Sequence, residues 1–120
     1  MRFTSYMKAF DSCVRDPRPM YRIDVVMFNL VDGDIDGEYY ECDGDSHPFE
    51  CFFDDKVEAI AYIEGFTEDM AREAIRTATN HTKYENVAVE VNEMDEGFNP
   101  GYVVAYSEWV GGTERNWWRS

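Results

Sequence analysis

Apolar side chains recur at two different periods along the chain, and the changes between them divide it into elements. Phe3, Tyr6, Met7, Phe10, Cys13 and Val14 follow the three-and-four spacing of one helix face. Thr4 or Ser5 stands where an N-cap belongs, and Asp16-Pro17 where a helix must stop, so a short N-terminal helix is predicted. From Tyr21 the period becomes two: Ile23, Val25 and Met27 share one side and Val26, Phe28 and Leu30 the other, the pattern of a strand buried on both faces. Asp32-Gly33-Asp34-Ile35-Asp36-Gly37 is turn chemistry, and Glu38 to Cys42 resumes a strand, which predicts a hairpin with a loop of about six residues. Asp43 to Pro48 reads as a second acidic turn before a third strand, Phe49 to Phe53.

The middle of the chain is helical in pattern. Asp55 has capping-box spacing to Glu58, and Val57, Ile60, Ala61 and Glu64 follow at helical offsets up to Gly65. A second helix opens at Thr67, carries the stripe Met70, Ala71, Ala74, Ile75 and Ala78, and ends at Asn80. Val87, Val89 and Val91, then Val103, Ala105, Ser107 and Trp109, alternate with their neighbours around a Gly97 to Gly101 loop and predict a second hairpin. The expected fold is α+β: a mostly antiparallel sheet of two hairpins, two central helices packed on one face, and a short N-terminal helix. Its 120 residues suit one domain, residues 1–120.

Charge changes the picture of what such a domain does. The net charge is −14, and it is unevenly placed: residues 1–22 carry five cations against two acids, residues 23–114 only four cations against 23 acids. Segment 32–55 holds Asp32, Asp34, Asp36, Glu38, Glu41, Asp43, Asp45, Glu50, Asp54 and Asp55 and no Lys or Arg. Long-range repulsion disfavours broad contact with phosphate backbones or anionic lipid, so neither direct nucleic-acid binding nor a membrane role is expected. The sequence has no secretory leader pattern and no 18-residue apolar run, which points to the cytoplasm, the host's if the chain is phage-encoded. The odd count of three cysteines, Cys13, Cys42 and Cys51, reads as reduced thiols.

Chemistry-bearing motifs are sparse. G-x-S-x-G, H-E-x-x-H, the P-loop and G-x-G-x-x-G are all missing from the sequence, and no enzymatic activity is expected. Cys42, His47 and Cys51, with Cys13 or His81, are zinc-type ligands at spacings unlike the common pairs. Asp32, Asp34 and Asp36 at alternate positions of a glycine-bearing turn resemble the first half of an EF-hand calcium loop, which implies calcium as a ligand. The twelfth position is then Asp43, where the family has a longer glutamate, and Tyr39 takes the place of its apolar eighth residue.

A binding role fits the composition better. Tyr39 and Tyr40 lie among Asp32, Asp34, Asp36, Glu38, Glu41, Asp43 and Asp45; aromatic area supplies affinity and the carboxylates steer a basic partner. In composition the chain resembles the small acidic proteins by which phages and mobile elements block nucleases, polymerases or other host defence factors. That resemblance implies a DNA mimic, an inhibitor bound to the basic surface of a nucleic-acid-processing enzyme. The alternative expectation is a small binding or assembly module, with a calcium-loaded turn or with the Phe3 to Val14 helix packed against a second copy. Trp117 and Trp118, after Gly111-Gly112, are either an interaction tail or a segment folded onto the sheet.

Overall fold

The structure, a computed structural model, describes residues 1–31, 41–78 and 85–118. Its elements are β1 (Arg2–Phe3), α1 (Tyr6–Arg15), β2 (Tyr21–Val31), β3 (Glu41–Phe53), α2 (Lys56–Glu64), α3 (Glu68–Ala78), β4 (Asn86–Met94), β5 (Pro100–Val110) and β6 (Thr113–Trp118). They build the expected α+β fold around one antiparallel sheet with strand order β1-β3-β2-β4-β5-β6. The doubly apolar β2 lies inside it, between β3 and β4.

One face of the sheet carries the main core. Ile23, Val25 and Met27 of β2 and Val87, Val89 and Val91 of β4 are buried beneath Ala59, Ile63 and Phe66 of α2 and its C-terminal turn, and Ala71, Ala74 and Ile75 of α3. Asp55 caps α2 by accepting a hydrogen bond from Val57 N at 2.9 Å, and Thr67 Oγ1 accepts one from Met70 N at 3.2 Å at the start of α3. The inward face of α2 differs from the expected stripe: Val57 is 72% exposed and Ala61 and Glu64 face solvent, while Ile63 is buried and Ile60 and Tyr62 pack beside it. Ile63, Tyr62 and Phe66 offer more apolar area than Val57 with Ala61, and area decides which face turns in.

Helix α1 belongs to the opposite face. Its Ala9 is buried with Phe3, Met20, Phe52, Met94 and Phe98 in a second, smaller cluster, against which Cys13 packs. Phe52 faces this cluster while its neighbours Cys51 and Phe53 belong to the main core, as strand alternation demands. Arg18 locks the helix down: its guanidinium donates to Asp54 Oδ2 at 3.1 and 3.2 Å, to Ser12 Oγ at 2.7 Å and to the Asp16 carbonyl at 2.8 Å. The N-terminal ammonium, the larger influence, and Arg18 hold the Asp54 carboxyl below its ordinary pKa.

Two readings of the chain are corrected. Asp43 to Pro48 is no turn but part of the continuous strand β3, in register with β2 from Asn29 opposite Asp43 to Asp24 opposite Pro48. The break lies later: β2 advances from Arg22 to Asp24 while β3 goes from Phe52 to Pro48, a bulge that absorbs the apolar run into both cores. Polar, turn-forming composition is tolerated because this stretch of β3 pairs only with β2 among the described residues, and an edge strand accommodates proline. The second correction concerns the C-terminal segment, which has no strand in the expected two-hairpin sheet. Thr113–Trp118 forms β6 against β5, joined through Gly111 and Gly112 at φ of +59° and +84°.

Candidate partner-binding surface

The acidic residues singled out in the sequence are divided by the fold. Asp32, Asp34, Asp36, Glu38, Tyr39 and Tyr40 lie outside the described residues. Glu41, Asp43 and Asp45 occupy alternate positions of β3, opposite Val31, Asn29 and Met27. Strands β2 and β3 flank segment 32–40, whereas an EF-hand loop is flanked by helices, and Asp43 lies within a paired strand. Cys13 and Cys51 are free thiols in different clusters on opposite faces of the sheet, so they are not brought together as zinc ligands. No group of metal-ligating side chains assembles among the described residues.

Trp117 folds back. It stands opposite Tyr106 in the β5–β6 ladder, with ring centroids 4.9 Å apart at 81°, an edge-to-face pair. Beside it Arg115 donates to its cross-strand partner Glu108 at 2.8 and 3.0 Å. The next strands inward carry a polar cluster. Arg22 grips Asp24 with two bonds of 2.7 and 2.9 Å, and the Asn92 amide donates to Asp24 Oδ2 at 3.0 Å and Glu90 Oε1 at 3.2 Å. Burial pushes the Glu90 carboxyl above its ordinary pKa; Asn92 opposes the shift and the Asp24 charge adds to it. Asp24 is only 2% exposed, so this network holds a buried charge rather than offering one to a partner.

A surface groove of about 630 Å³ opens where the α1–β2 connection meets the β4–β5 loop. Pro17, Arg18 and Pro19 form one wall, Cys13, Met20, Met94 and Phe98 give it apolar lining, and Asp95 and Glu96 stand on the other side next to Glu93, whose carboxylate accepts from the Tyr21 hydroxyl at 3.4 Å. The acidic wall is shaped by local bonding. Asp95 Oδ1 accepts from Gly97 N and Asn99 N, each at 2.9 Å, and Phe98 within that turn adopts φ of +60°. Gly101 lets β5 pass close to Glu93, since a Cβ there would lie 2.9 Å from the Glu93 carbonyl oxygen. The groove was not legible in the sequence because its two walls are about 75 residues apart in the chain. The local signal was the turn composition Asp95-Glu96-Gly97.

No family model, curated protein or solved structure shows a significant match to the chain. Among the described residues no helix is long and apolar enough to cross a membrane.

Proposed function

We propose that this protein is a non-enzymatic inhibitor or regulator that binds a basic protein surface, of the kind found on nucleic-acid-processing or host-defence enzymes. The observation that carries the reading is the strand placement of the acidic segment. Glu41, Asp43 and Asp45 at alternate positions of an extended strand recur every ~6.8 Å. That repeat is about twice the ~3.4 Å rise between successive phosphates of one duplex strand, which makes it a suitable frame for mimicking nucleic acid. The charge is also left over rather than internally matched. Arg18, Arg22, Arg72, Arg76 and Arg115 each pair with an acid of the chain, and a net charge of −14 remains for a partner.

The test begins with protein immobilised at low salt, eluted of bound lysate proteins by a salt gradient, and ends with the purified partner. A 1:1 complex whose Kd weakens steeply with salt, is competed by duplex DNA, and is lost when Asp32, Asp34, Asp36 and Asp43 become Asn is the expected result. Affinity independent of salt, or unchanged in the Asn variant, overturns the reading.

A further inference from the structure

We infer that the groove between the α1–β2 connection and the β4–β5 loop receives apolar side chains from a partner segment that also carries lysine or arginine. This deepens the reading of a basic partner and rests on it. Met20, Met94 and Phe98, packed in the second cluster and only 1%, 7% and 7% exposed, close the floor of the groove, and the half-buried Cys13 and exposed Pro17 and Pro19 supply the apolar surface that an anchor meets. The apolar surface also continues out of the groove. Phe10 meets Phe98 with centroids 5.6 Å apart, Val14, one helical turn on, is 64% exposed, and Met7, one turn before Phe10, is 63% exposed. The stripe on α1 is wider than its contact with the sheet: Ala9 and Cys13 pack into the second cluster, Tyr6 and Phe10 lean on Phe98, and Met7 and Val14 stay outside.

Charge selects the occupant. The Glu93 carboxylate accepts from the Tyr21 hydroxyl at 3.4 Å and Asp95 Oδ1 from its own turn, but among the described residues no ion pair reaches Asp95 or Glu96, and the one cation of the lining, Arg18, is spent on Asp54 and Ser12. An uncharged apolar ligand strips water from the Glu96 carboxylate and the outer Asp95 oxygen with nothing in return, and an acidic segment is repelled. A second copy at −14 is repelled at long range as well. A segment with a cation beside an apolar anchor satisfies both lining and rim, and the Asp95-centred turn presents that rim already ordered.

Five of the six methionines are built-in reporters: Met20 and Met94 line the groove, Met7 lies on the α1 flank, and Met27 and Met70 lie in the main core and on α3. With methionine methyl groups labelled with carbon-13, NMR titrations compare three synthetic pentapeptides: Lys-Leu-Arg-Phe-Lys, Lys-Ser-Arg-Gly-Lys and Glu-Leu-Glu-Phe-Glu. The first is expected to shift the Met20, Met94 and Met7 methyls and to leave Met27 and Met70 in place. Glu96→Lys, at an exposed position, should weaken it about threefold or more. The second should bind more weakly and the third not at all. Salt-sensitive binding of the first peptide without shifts at Met20 and Met94 overturns the groove inference and leaves the basic-partner reading standing. Equal shifts from the acidic peptide overturn it too, and shifts on concentrating the protein alone assign the groove to a second copy. Failure of both basic peptides together with failure to find a salt-sensitive partner overturns both readings.

Discussion

Asp24 and Glu90 stand directly opposite each other across the β2–β4 ladder, two carboxylates bridged by the single side-chain amide of Asn92. Like charges in this position destabilise a sheet, and burial adds to the cost of ionising Glu90. Its folded pKa is raised, so its stabilising contribution is complete below the unfolded value and fades as pH rises through the folded one. Glu90→Gln keeps an acceptor for Asn92 and removes the charge. We expect it to raise stability by roughly 0.2–1 kcal/mol at pH 7, with the gain shrinking toward pH 4. Urea unfolding at the two pH values measures this, and a larger gain at the acid end contradicts it.

Arg22 is what makes the buried Asp24 tolerable. Arg22→Met removes both hydrogen bonds and leaves an uncompensated charge beside Glu90, at a cost of about 3–5 kcal/mol. Arg22→Lys recovers only part of this, because an ammonium cannot reproduce the two-point grip. Equal stability of the Lys variant and the native chain would show that the fork geometry is irrelevant.

Phe98 combines a left-handed backbone with a buried ring that meets Tyr6, Phe10 and Phe52. Phe98→Ala should cost about 3–5 kcal/mol through the lost packing. Glycine normally destabilises further than alanine, but here it removes the ~1–2 kcal/mol penalty of a side chain at positive φ. Phe98→Gly is therefore expected to be no less stable than Phe98→Ala in thermal melts; a clearly lower Tm for the glycine variant refutes backbone strain at this site.

The β5–β6 turn gives a sharper contrast. Asparagine adopts positive φ readily, so Gly111→Asn should change stability little, while Gly112→Val should cost about 1–2 kcal/mol. Because Trp117 packs on Tyr106, the valine variant should also change the tryptophan emission if β6 detaches. Identical melting of the two variants would mean that the hairpin adds nothing to the fold.

Periodicity alone located α1, β2, α3 and the paired β4 and β5, because each has a run long enough for one face to be unmistakably apolar: Ile23, Val25 and Met27, or Ala71, Ala74 and Ile75. The caps at Ser5 and Asp55 were equally local, each a side chain bonding to backbone two or three residues on. The charge excess, and with it the expectation of a basic partner, is a property of composition and needs no fold.

Only tertiary structure decided the rest. Asp43 to Pro48 has the composition of a turn, and the long partner strand β2 draws it into the sheet; β6 has no apolar alternation of its own and exists because β5 offers an edge. Helix α1 has an apolar stripe that says something must cover it, but not which face of the sheet does, nor that Met7 and Val14 are left outside. The Asp24–Glu90–Asn92 network and the groove between Met20 and Met94 join positions some 70 residues apart. Long-range pairing creates such sites, and no local pattern records them.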